Sequence, residues 1–413
     1  MKRSAQVFVM ALILLISLNS AYCQVQLTMG SWRTEDRDFY ENVIKAFQKT
    51  HPDIEIAYEP TKNTEYNTKL NIALQTGSGP DIIHLRPYGP GVQLAEDGYL
   101  EPLSGRINGL EQYADATLAA SRASDGKVYG VPAKFSSTQI FYNKDIFEKY
   151  ALQEPASWDE LIAIADTLRK NGVAPFAMGS KDGWILSLTH ATLGPTFFGG
   201  KAFVKKLLSG EADFTCPEFV KSIQMMKDLT PYLPKFSTGV GMEEMRSLFT
   251  TGKAAMFIMG DWEIAVLKKE APDLNFDLFP IPSATGAQPT ITTWVDASYA
   301  VNAQSKHKEE ALQFVEFLTS QTFGEMVSED LHSIPTIPGV KASDPLISKI
   351  LRSASNPETS EPYMILIHFN QGNPSTKTEF QNLLQGMYLE KLSPEEVAQG
   401  VQKSADTWFK PVQ

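Results

Sequence analysis

The order and length of this sequence predict an α/β protein of more than one unit, and three observations carry that reading. From Gln24 the apolar residues alternate, then recur at helical spacing, then alternate again. A short apolar run after a second helical stretch supplies a third strand. The chain is also longer than one hydrophobic core ordinarily supports.

Val25, Leu27 and Met29 make the first strand pattern, Phe39, Val43, Ile44 and Phe47 a helical stripe, and Ile54, Ile56 and Tyr58 a second strand. A helix from about Asn63 to Gln75, carrying Tyr66, Leu70, Ala73 and Leu74, leads into QTGSGPDIIHL, where Ile82, Ile83 and Leu85 form the third. Right-handed crossovers join such strands into a parallel sheet. The turn at Gly77 to Pro80 lacks the Gly-Lys-Ser/Thr of a phosphate loop and the third glycine of a dinucleotide fingerprint, and it precedes a strand instead of opening a helix. Ser78 has Thr76 where a nucleophile elbow needs glycine. The turn therefore delivers the chain into a strand, with Asp81 fixing the turn. In such sheets ligands bind beyond the carboxyl ends of the strands, here Ser31 to Thr34 and Arg86 to Tyr88.

Further along, STQIFYNKDIF (Ser136 to Phe147) predicts a strand and a helix, and PASWDELIAIADTLRKNG a helix opened by the capping pair Ser157 and Glu160. Helices are predicted around Phe219 to Leu229 and Met242 to Thr250. GKAAMFIMGDWE reads as a strand emerging into a polar aromatic turn, and Ala297 to Ser320 as strand, turn and helix. The last helix starts at Ser393, Pro394 and Glu396 and buries Val397, Val401, Ala405 and Trp408. No internal repeat or low-complexity tract interrupts the order.

Lys2 and Arg3, the apolar run Val7 to Leu18, and the small residues Ser20 and Ala21 make a secretory signal. The run is too short to cross a bilayer, which needs roughly 20 apolar residues. Processing at Cys23 is open between cleavage after it and lipid attachment to it as the new N-terminus; Tyr22 stands where lipoprotein signals prefer a small residue. Removing 23 of 413 residues leaves 390 and takes the net charge from −11 to −13. An acidic surface without a basic run argues against nucleic acid and anionic lipid as partners. Two cysteines and six scattered histidines provide neither a disulfide framework nor a zinc signature. No cofactor or metal is expected.

In this order and spacing, the segments TGSGPDII, GVPAKFSSTQIFYNKDIFEK, SWDELIAIADTLRKNG, FTTGKAAMFIMGDWE and AVNAQSKHKEEALQFVEFLTS resemble the extracellular solute-binding proteins of carbohydrate ABC transporters, the family that includes maltose-binding proteins. The match runs nearly end to end. The resemblance implies a type II periplasmic-binding-protein fold of two lobes, each a mainly parallel sheet flanked by helices. Residues 24–136 and 302–332 would form one lobe, 137–301 and 333–413 the other. The chain would cross near Ser136 to Tyr142, return near Ser298 to Asn302 and cross again after about His332, letting the lobes close on a solute and deliver it to a membrane permease. Such a protein would act as a monomer, in the periplasm or at the cell surface, and would not be an enzyme.

Candidate ligand-binding residues follow. Trp32, after the first strand, offers an indole face to a sugar ring. Arg86 and Tyr88, after the third strand, offer donors to hydroxyls. Asp182 with Trp184, and Trp294 with Asp296, pair an acid with an indole. Asp261 and Trp262 follow a predicted strand and match the position where the family commonly places a cleft tryptophan. Phe369 falls where relatives often have a second-lobe aromatic. Trp158 and Trp408 are read as structural, and Glu35 and Lys134 are set aside as near the cleft in sequence only. With Arg86 the one cleft cation in this reading, a neutral polyhydroxylated ligand is favoured over an anionic one. The alternatives are a glycoside-active enzyme using Asp182 and Asp261, and the same fold binding a phosphorylated polyol, a polyamine or ferric ion.

Overall fold

The computed structural model describes residues 24–354, 356 and 358–411; the signal segment and Cys23 lie outside them. Ten strands, β1 (Val25–Ser31), β2 (Ile54–Pro60), β3 (Ile82–Leu85), β4 (Val131–Asn143), β5 (Ala174–Phe176), β6 (Ala254–Gly260), β7 (Phe276–Phe279), β8 (Ile291–Val301), β9 (Ile334–Pro335) and β10 (Ser360–Pro362), join in one sheet. Its main path runs β2-β1-β3-β8-β4-β6-β5. The ends are parallel, as the βαβ pattern predicts, with β1 beside β2 and β3 and β5 beside β6. The middle is not: β3 with β8, β8 with β4 and β4 with β6 are antiparallel. An antiparallel centre follows from connectivity, because β4 carries the chain out of one half and β8 brings it back.

Those two strands are shared by two separate hydrophobic cores. Leu27, Met29, Val43, Phe47, Ile82 and Phe314 pack in the first, together with Val131 and Ala133 of β4 and Ala297 to Val301 of β8. Phe176, Phe219, Phe257 and Phe380 pack in the second, with Ile140 to Tyr142 of β4 and Ile291 and Trp294 of β8. Between the two apolar ends of β4 lies a buried polar run, Lys134 and Ser136 to Gln139. Burying that many polar groups needs partners or a polar medium, so the run marks where the cores part.

Local signals place the elements around this frame. The Arg37–Gln48 helix buries Phe39, Tyr40, Val43, Ile44 and Phe47 on one stripe. Ser157 and Ser393 cap their helices by accepting from Glu160 and Glu396 backbone amides. Asp81 fixes its turn by accepting from the backbone and hydroxyl of Thr28 and from the Ser305 hydroxyl, which ties β1 to the chain leaving β8. One boundary differs: the last helix ends at Asp406, so Trp408 lies beyond it, its Nε1 donating to Thr376 Oγ1 at 2.9 Å.

Candidate functional site

The parallel strands at the two ends of the sheet run toward each other, so their following loops converge on the middles of β4 and β8. After β1 come Trp32 to Asp36, after β3 Arg86 to Tyr88, after β6 Asp261 and Trp262, and after β5 the Met178–Trp184 segment. The polar middles of β4 and β8 form the floor between them.

Charge gathers on that floor. Asp296 of β8 forms an ion pair with Arg33, while Lys134 Nζ lies 3.6 Å from Asp261 Oδ2 and 4.0 Å from Asp296 Oδ2. All four side chains are buried. A register shift in the β4–β8 pairing at Lys134 accompanies this position, as expected of a bulge that re-aims a side chain. Lys134 Nζ also donates to the hydroxyls of Ser136 and Ser333, at 3.3 and 3.2 Å.

The electrostatics follow from these contacts. Burial pushes the Asp296 carboxyl up, but Arg33 and then Lys134 outweigh it and hold the group at about 2. For Asp261 burial wins over Lys134 and the Ser137 amide, leaving it above the usual carboxylate range. Asp36, buried at the end of the β1 loop beside Glu35, is pushed up to about 6 in spite of Arg33 and Lys134.

Aromatic rings line the same space. Trp262 folds back across Gly260, where a Cβ would meet its ring at 2.0 Å, so a glycine is required there. Its ring is half-buried, meets Trp294 edge-on at 6.0 Å, and carries the Arg33 guanidinium 5.5 Å and Lys134 Nζ 6.0 Å from its centre. Trp294 in turn touches Tyr363 at 5.2 Å and directs Nε1 toward Asp296 Oδ1 at 3.3 Å.

Seven of the ten residues singled out in the sequence thus come together: Trp32, Arg86, Tyr88, Asp261, Trp262, Trp294 and Asp296. Trp32 does so in a different role from the expected sugar platform. His84 stacks on it at 4.3 Å and the Arg86 guanidinium lies 3.9 Å from its centre, so the indole is a seat for Arg86. Tyr88 Oη accepts from the Val295 amide at 3.2 Å, tying the β3 loop to β8. Asp182 and Trp184 lie in the segment after β5 but join none of these contacts; the Asp182 carboxylate accepts from the Met242 amide and serves the start of the Met242–Thr250 helix. Phe369 is fully buried among Phe214, Trp408 and Phe409, an aromatic core that leaves no face for solute.

The residues that sequence reasoning missed are mostly charged. Arg33, Glu35 and Asp36 sit in the loop after β1, Lys134 on β4, and Lys377 in the first turn of the Thr376–Tyr388 helix, with Tyr363 beneath it. Arg86 is therefore one of four cations here, which removes the charge count that favoured a neutral ligand. The position of the first three after a strand was a usable signal; Lys377 had none.

A family model described as bacterial extracellular solute-binding protein matches residues 30–322. An uncharacterised ABC transporter extracellular-binding protein of Pyrococcus horikoshii is 30% identical over 302 residues, 71% of this chain and 68% of that protein. A multiple sugar-binding protein of Streptococcus mutans is 25% identical, over 68% of this chain and 67% of its own length. Among solved structures, a chitin oligosaccharide binding protein superposes with a TM-score of 0.80 at 22% identity, covering 93% of this chain and 98% of that one. A solute-binding protein of Thermotoga lettingae bound with α-D-tagatose does so at 0.76 and 22%, covering 93% and 99%. These structures share the two-lobed type II fold. On the extent of the family match and the identity to the Pyrococcus protein, the chain belongs to the bacterial extracellular solute-binding proteins.

Proposed function

We propose that this protein captures a sugar or short oligosaccharide between its two halves and presents it to an ABC transporter permease. One observation carries the reading. Arg33 Nε and Asp261 Oδ2, in the charge cluster at the cleft floor, are buried without a hydrogen-bond partner among the described residues. They are a donor and an acceptor, which suits hydroxyls, able to serve both, beside the half-buried indole of Trp262. The sugar-binding names of several relatives support the same class.

Rotation about β4, β8 and the segment through β9 would open and close the cleft, and the chain would act as a monomer outside the cytoplasmic membrane, released or held by a lipid at Cys23. The enzyme alternative loses its pair of acids. Asp182 is spent at the start of the Met242–Thr250 helix and joins none of the contacts around Asp261, so the two acids do not form a catalytic pair.

The test is a calorimetric screen of the mature chain against mono- and oligosaccharides. Binding without turnover is expected, with Trp262→Ala weakening it by about 10- to 100-fold, as for loss of a principal aromatic contact. Glycoside hydrolysis, or no carbohydrate binding, would overturn the proposal.

A further inference from the structure

Arg86 and Lys377 stand apart from the other cations of the cleft. Arg86 comes from the end of β3, in the half that holds the first core, and Lys377 from the Thr376–Tyr388 helix in the other. The two halves touch beside them: a Cβ on Gly89 would lie 2.0 Å from the Asn370 carbonyl oxygen, so only glycine fits there. Arg86 is held by neutral groups, its Nε donating to Asn67 Oδ1 at 3.1 Å and its Nη2 to the carbonyl and side chain of Asn63, while Nη1 has no partner among the described residues. Lys377 Nζ lies 6.0 Å from the centre of the Tyr363 ring. Among the described residues neither cation has a carboxylate at ion-pair distance, whereas Arg33 and Lys134 share Asp296 and Asp261.

We infer that the ligand is an acidic sugar, a uronic acid or an oligosaccharide containing one, whose carboxylate is taken between Arg86 and Lys377. The inference rests on the sugar-binding reading above and narrows it. One unspent guanidinium nitrogen and one ammonium match the two oxygens of a carboxylate; a phosphate dianion presents three oxygens and more charge. The electrostatics agree: burial, and then the Arg86 charge, bring Lys377 down to about 8, and burial followed by Arg33 brings Arg86 down to about 10. An anion between them relieves both. Because the cations belong to opposite halves, the carboxylate also draws the cleft shut, so acid recognition and closure are one event.

Calorimetry on the mature chain tests this with matched pairs: glucuronate against glucose, galacturonate against galactose, and digalacturonate against a neutral galactose disaccharide, with glucose 6-phosphate as a further arm. At least tenfold tighter binding of the acid is expected in one or more pairs, and Arg86→Gln and Lys377→Met each erase that preference while Lys377→Arg keeps it. Circular dichroism melts confirm that the variants are folded. Neutral sugars binding as tightly as their acids would overturn the inference and leave the sugar-binding reading standing; so would tighter binding of the phosphate. Loss of preference in Arg86→Gln alone would also overturn it, placing the acid in the recess of about 200 Å³ that Arg86 lines with Asn67, Asn71 and Gln93. Failure of every sugar to bind would sink both.

Discussion

Around Asp296, the cations Arg33 and Lys134 meet carboxylates of β8 and of the loop after β6, whereas Arg86 and Lys377 have amides and aromatic rings as neighbours. Both regions bury positive charge at the same cleft. In the first, the charges are spent on one another and hold the strand middles and loops in place. In the second they are left over, at a cost to the free protein that only a ligand can offset. Balanced charge builds the site, and unbalanced charge selects what enters it.

The largest way to break the contrast is to unbalance the balanced side. Asp296→Ala leaves Arg33 and Lys134 buried with one acid fewer, and should destabilise the protein by about 3–5 kcal/mol, read by urea unfolding. A smaller and opposite effect is expected at Asp36. Its folded value near 6 against an ordinary 3.8 means that the native state keeps a proton the unfolded chain has lost, so stability falls as pH rises from about 4 to 6 and the cost is fully present above 6. Asp36→Asn should therefore stabilise the free protein at pH 7 by on the order of 2 kcal/mol, and the gain should vanish near pH 4 in thermal melts.

Lys377→Met sharpens the other side. The folded ammonium is disfavoured below a value near 8, while the unfolded one keeps its charge to 10.5, so the cost is present at pH 7 and relieved only above 8. Removing it should raise the stability of the free protein at pH 7, read by urea unfolding, and the gain should shrink as pH rises above 8. The smallest effect belongs to Asp38 and Lys269, which bridge the two halves at 2.6 Å with both side chains exposed. Asp38→Asn should leave the melting temperature unchanged within error, because an exposed pair gains little over its hydrated partners.

Much of this fold was legible. Alternation and helical spacing located β1, β2, β3 and the helices between them, since each buries one face against one core. The antiparallel centre was not, because the direction of β8 relative to β4 depends on partners more than a hundred residues away. At the site the same division holds. Trp262 was readable, as an aromatic at a strand end, but Lys134 was set aside as near the cleft in sequence only, because its orientation is set by its pairing with β8 and by Asp261 and Asp296, all more than a hundred residues away. Phe369 misled for a different reason: the resemblance matched an aromatic at that position but not the face it shows, and here Phe214 and Phe409 close over it.

The sharing of β4 and β8 also bears on how the molecule comes apart. Val131 and Ala133 belong to one core and Ile140 to Tyr142, on the same strand, to the other. Unravelling either core pulls a strand out of its companion, and no single cut in the chain frees one half intact. The shared strands should couple the unfolding of the two halves, so a single calorimetric transition is expected where two independent domains would give two.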